Sequence, residues 1–110
     1  MSQPIITTRP RPPSLFQPAT VQELGSPGYP HTHAQTSGTV EIVRGESDGD
    51  VHVRLVDDQN MHFIICEIIP ELPLPIPELG EKITVQGIHR YDYEHFWGEI
   101  HCVLHWEPAK

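Results

Sequence analysis

The chain has 110 residues, 37% of them apolar, with 7 Lys+Arg against 15 Asp+Glu and a formal net charge of −8 when its 8 histidines are neutral. That length makes one small domain. No apolar run approaches the ~18 residues of a membrane span and no basic-then-apolar leader opens the chain, so membrane spanning and secretion are not expected; a broadly basic protein that grips phosphate backbones is excluded by the sign of the charge.

Composition changes near Ser37. Residues 1–37 hold seven of the 12 prolines and carry Arg9 and Arg11 against Glu23. Their apolar residues follow neither a period of two nor one of 3.6. Such a segment buries little against its ordering entropy, and it reads as an irregular arm, flexible or ordered by a partner. Within it, Thr20 followed three residues later by Glu23 has the spacing of a helix capping box. Arg9-Pro-Arg-Pro-Pro resembles ligands of domains that read a polyproline helix.

From Gly38 onward five basic residues face fourteen acids. The first strand runs from about Gly38 to Gly45, and Asp48-Gly49 marks a hairpin turn. Val51–Val56 alternates Val51, Val53 and Leu55 against His52, Arg54 and Val56. Met61–Ile69 is apolar on both faces toward its end, as in a strand buried on both sides. Prolines at 70, 73, 75 and 77 exclude a helix interior or a central strand there, while Leu72, Leu74, Ile76 and Leu79 suit a loop packed on the core. Lys82–Tyr91 is the fourth strand. Glu99–Trp106 is the fifth, with Ile100, Cys102, Leu104 and Trp106 on one face. Val53, Phe63, Val85, Ile100 and Trp106 are the expected interior. Cys66 and Cys102 lie inside strands and read as free, small hydrophobes in a reducing, cytoplasmic setting.

A three-strand meander, a long connection and a final hairpin predict an all-β, five-stranded OB-like Greek-key barrel over 38–108, with residues 1–37 as the arm. Closure also removes exposed strand edges. The proline loop stands where an OB-fold usually has its helix. Gly87-Ile-His-Arg-Tyr-Asp-Tyr-Glu-His-Phe-Trp-Gly-Glu-Ile-His, together with Pro70-Glu-Leu-Pro-Leu-Pro, resembles a pattern in uncharacterised small prokaryotic OB-like proteins, with Cys102 where those have proline. That resemblance covers roughly 38–108 and implies a fold without an activity.

Three constellations bear chemistry. Asp48-Gly49-Asp50, followed by Arg54-Leu55 and Pro70-Glu71, is similar to the calcium-binding hairpin of the staphylococcal-nuclease family, itself an OB-fold. Asp50 and Glu71 match that family's pattern. Ile64 stands at its arginine position, Ile68 or Ile69 at its second acid, and Val51 at its threonine, so the resemblance is catalytically incomplete. The histidine group of His89, Asp92, His95, Glu99, His101 and His105 offers a second metal set. Asp92, His95 and His101 are its candidate ligands, and Zn²⁺ or Ca²⁺ the candidate ions. The competing reading is that Glu99 and His101 merely fix the hairpin. The third is aromatic: Tyr91, Tyr93, Phe96 and Trp97 border the face on which OB-folds stack single-stranded bases.

These readings converge on a small non-catalytic binding module. Its ligand is single-stranded nucleic acid or a protein partner, the latter reached through residues 1–37, and a homo-oligomer through open strand edges is left open. The candidate contacts are His52, Arg54, His62, Arg90, Tyr91, Tyr93 and Trp97. The alternative is a metal-binding protein or metal-dependent phosphodiesterase using Asp48, Asp50 and Glu71, or Asp92, His95 and His101.

Overall fold

A computed structural model describes residues 15–110; the Arg9-Pro-Arg-Pro-Pro motif lies outside them. The elements are β1 (Gln17–Pro18), α1 (Val21–Leu24), β2 (His33–Gly45), β3 (Val51–Val56), β4 (Phe63–Ile68), β5 (Lys82–Asp92) and β6 (Trp97–Pro108). The sheet runs β1-β2-β3-β4-β6-β5 and closes through a β2–β5 pairing. Closure is possible because β2 serves two partners: it pairs with β5 from His33 to Thr39, then with β3 from Thr39 to Gly45. Gly38 sits at this handover. A side chain there would meet the Val56 carbonyl at 2.6 Å and the Leu55 side chain at 2.8 Å. β4 and β6 pair in parallel, and the other barrel pairs are antiparallel. The chain is an OB-like five-stranded barrel.

Inward-facing Val40, Val53, Leu55, Ile64, Cys66, Ile83, Val85, Ile100 and Val103 fill it. The loop after β4 contains no helix among its residues, and it buries Leu74 and Pro77 against one end. Trp106 is packed on the core and its indole N–H donates to the Pro75 carbonyl at 2.6 Å, tying that loop down. Both cysteines are free. The Glu46–Asp50 turn forms as expected, with Gly49 at φ 94° and Asp48 Oδ1 accepting from the Asp50 amide. No helix among the described residues is long and apolar enough to cross a membrane.

Four expectations are corrected. The barrel starts before residue 38, because β2 begins at His33, where Ala34 and Thr36 alternate inward. Proline content masked a strand made of small residues. The described part of the arm is mostly irregular but lies on the barrel: Thr20 and Glu23 form the capping box, and α1 buries Val21 and Leu24. Phe63 is not interior; it is half-buried on the outer face, under the Arg54 guanidinium at 3.8 Å. The alternation of β6 also changes phase. Gly87 pairs with Val103 while His89 pairs with Ile100, so β6 carries an extra residue. Val103 and His105 are therefore buried, and Cys102 and Leu104 only half-buried.

Candidate ligand face and its buried carboxylate cluster

Strand register builds a grid on the outside of the barrel. His52 pairs with Arg44 and Glu67, and Glu67 pairs with His101, so Arg44, His52, Glu67 and His101 form one row across β2, β3, β4 and β6. The next row is Ile42, Arg54, Ile65, Glu99 and Arg90. Alternation sends each of these side chains outward while its neighbours fill the core.

Glu67 and Glu99 are buried despite facing out, at 5% and 2% exposure. A buried charge needs partners. Glu99 has both oxygens engaged: Arg90 Nε donates to Oε1 at 2.9 Å and Trp97 Nε1 to Oε2 at 2.8 Å. Glu67 Oε1 lies 3.2 Å from His52 Nε2 and 3.6 Å from His101 Nε2. The Glu99 carboxylate also lies close enough to Glu67 to act on it through its charge. Burial, then the charge of the neighbouring Glu99 carboxylate, push the Glu67 carboxyl up to about 8. Asp50 adds a third carboxylate: Asp50, His52 and Glu67 each bring a ligand atom within 4.8 Å of the others.

Beside this cluster lies a groove of about 100 Å³ lined by Ile42, Arg44, His52, Arg54, Ile65 and Trp97. Its arginines are engaged. Arg44 Nε is 2.7 Å from Glu46, and Arg54 Nε is 2.8 Å from Glu41, an ion pair without hydrogen-bond alignment. Trp97 stacks on His95 with centroids 4.5 Å apart and meets Phe63 edge-on. A larger hollow of about 450 Å³ lies away from this face, between Pro18–Gln22 and Asp57–Gln59. Its charged lining is Asp57, Asp58 and Lys82, and Lys82 is paired with Asp58 at 3.1 Å, so it has no convergent set of groups comparable to the cluster.

Of the expected contacts, His52, Arg54 and Trp97 line the groove, and Arg90 joins them through Glu99. His62 does not. Its ring is held 2.7 Å from Asp57 in the turn after β3. Tyr91 and Tyr93 meet edge-on with centroids 4.8 Å apart; alternation places Tyr91 on the opposite face of the hairpin from Arg90 and Asp92. The expected metal trio also separates. Asp92 Oδ2 pairs with His95 Nδ1 at 2.7 Å, while His101 turns to Glu67. The His95 contact holds the Asp92 carboxyl down at about 2 and lifts the His95 imidazole. Asp48 and Glu71 are exposed and stand outside the Asp50 group. Glu67 was the residue missed. Its signal was a single carboxylate inside an apolar strand, where only partners from other strands could satisfy it.

No family model and no curated protein matches the chain. Among solved structures, a protein of Leishmania major assigned as an aspartyl-tRNA synthetase matches 97% of this chain with a TM-score of 0.61 and 12% identity. This chain corresponds to 23% of that one, and the likeness is one of fold.

Proposed function

We propose that the barrel is a non-catalytic binding module that takes a short single-stranded nucleic-acid segment across the outer face of β2, β3, β4 and β6. The groove carries this reading, because Arg44, Arg54, His52 and Trp97 meet on the face that OB-folds use for oligonucleotides. At about 100 Å³ it is too small for a drug-sized ligand, which fills roughly 300–1,000 Å³, and it suits an extended chain that lays one base or phosphate in it. The fold is shared with a protein that bears the name of a tRNA-charging enzyme, which supports the reading by analogy.

Binding is expected to be weak and salt-sensitive. Arg44 is two-thirds exposed, and exposed pairs such as Arg44–Glu46 are worth about 0–1 kcal/mol, so a phosphate can displace Glu46. Stacking on Trp97 adds about 1–3 kcal/mol per base. The test is fluorescence anisotropy of labelled 8–12-residue oligonucleotides with untagged protein, at about 20 mM and about 200 mM salt. Binding at low salt that falls with salt, and falls at least fivefold in Trp97→Ala and Arg54→Ala, is the expected result. No binding at about 100 μM protein in low salt refutes the reading.

A further inference from the structure

The row His52, Glu67 and His101 contains more than a hydrogen-bond network requires. Two imidazole nitrogens converge on one carboxylate oxygen, at 3.2 and 3.6 Å. Ligand atoms around a tetrahedral Zn²⁺ at about 2.0–2.1 Å stand roughly 3.3 Å apart, the same spacing. Asp50 lies two residues before His52 and, with His52 and Glu67, forms a group whose ligand atoms are within 4.8 Å of one another; His101 stands outside that group and meets it at Glu67 Oε1, 3.6 Å from its Nε2.

Charge points the same way. Asp50 and Glu99 both act on Glu67, and the Arg90 guanidinium answers them, hydrogen-bonded to Glu99 and acting on Glu67 by charge. Both Glu99 oxygens are already held by Arg90 and Trp97, so Glu99 braces the cluster while Glu67 Oε1 faces the two histidines. The His52 and His101 side chains keep 20% and 33% of their exposure, which leaves a way in from solvent. His52, Glu67 and His101 come from three hydrogen-bonded neighbouring strands, and Asp50 from the end of the turn just before β3, so most of the site is carried on rigid elements.

We infer that Asp50, His52 and Glu67 bind one divalent cation of the Zn²⁺ class and that His101, drawn in from its contact with Glu67, supplies the fourth ligand. Mixed nitrogen and oxygen donors select such an ion over Ca²⁺, which takes six to eight oxygens. The assignment does not rest on the nucleic-acid reading, although His52 belongs to both the cluster and the groove, and it differs from the hairpin trio suggested by sequence.

The test uses the untagged full chain, stripped with chelator and dialysed. Co²⁺ is titrated while its visible absorption is followed, and Zn²⁺ affinity is measured by competition with a chromophoric chelator. One equivalent should bind with the intense band of a four-coordinate site. His52→Ala and Glu67→Gln should each weaken it at least tenfold while His95→Ala leaves it unchanged. Glu67→Gln keeps the side-chain volume, and far-UV circular dichroism checks that both variants fold. Binding unchanged in His52→Ala, binding abolished by His95→Ala, Ca²⁺ binding as tightly as Zn²⁺, or no stoichiometric binding would each overturn the assignment.

Discussion

Gly98→Ala should detach the N-terminal helical turn from the barrel. A β-carbon at Gly98 would run into the Leu24 carbonyl oxygen, 2.7 Å from its carbon and 2.9 Å from Gly25 Cα. All three are backbone atoms, so no rotamer change relieves the clash. If α1 lifts away, Leu24 and Val21, now 0% and 2% exposed, return to water. Each such side chain is worth about 1.5–3 kcal/mol when buried, so the loss is about 3–6 kcal/mol. The hydrogen bond between His89 Nε2 and the Leu24 carbonyl, 2.8 Å long and buried, adds about 1 kcal/mol. Against a typical total of 5–15 kcal/mol this is a large share, and at about 4–8 °C per kcal/mol it lowers Tm by at least about 15 °C. Urea and thermal unfolding by circular dichroism measure it. Gly45→Ala is the control, because a β-carbon there meets nothing within 4 Å. Leu24→Ala alone should cost about 2–5 kcal/mol, and it should cost almost nothing more in the Gly98→Ala background. A Gly98→Ala protein within about 1 kcal/mol of the parent would show that α1 is not part of the folded unit.

In chelator-treated protein, Glu67→Gln should be neutral near pH 5 and stabilising, on the order of 1–3 kcal/mol, near pH 8. The sign follows from the raised carboxyl of Glu67: its contribution is complete below the unfolded carboxylate value and is lost as pH rises through about 8, and glutamine removes that loss because it does not ionise. Equal denaturation midpoints for both proteins at pH 8 would contradict it. His89 has the opposite sign, since burial lowers its imidazole. Its contribution is complete above about pH 6.5 and falls as pH drops through the lowered value, so His89→Gln should flatten the acid limb of the stability profile. Trp97 fluorescence should titrate with the stacked His95 at a midpoint above the usual imidazole value, and Asp92→Asn should move that midpoint down; an unchanged midpoint would separate the tryptophan from the pair. Oligonucleotide affinity should rise when the Asp50–His52–Glu67 site is loaded with Zn²⁺, checked by anisotropy with and without the metal; equal affinities would make the two sites independent.

Local patterns made much of the barrel legible. Val51–Val56 alternates cleanly because one face is core and the other solvent, and the Asp48-Gly49 turn declares its own geometry. What escaped depended on partners distant in sequence. Phe63 looks like core in any window, yet its strand begins with an outward residue covered by Arg54. The phase change in β6 is produced by its register with Gly87 on β5, which no reading of β6 alone contains. The site follows the same division. His52, Arg54 and Trp97 could be placed from their own strands and hairpin, but the convergence of His52, Glu67 and His101 needs the parallel β4–β6 pairing. Chain closure sets that pairing, and composition carries no trace of it.

The acidity of the chain bears on how such a face could take an anionic ligand at all. With a formal charge of −8, the far field opposes a nucleic acid, and the arginines on the face are each held by a glutamate. Screening confines that repulsion to about 10 Å at 0.1 M salt, so what matters close in is the local arrangement. There the Asp50, Glu67 and Glu99 carboxyls gather next to Arg44, His52 and Arg54, and a dication held by Asp50 and Glu67 would offset their charge. The groove's stacking partner, Trp97, is anchored by the same Glu99 that braces the cluster. Charge neutralisation and aromatic positioning therefore share one carboxylate, which couples the state of the cluster to the shape of the face next to it.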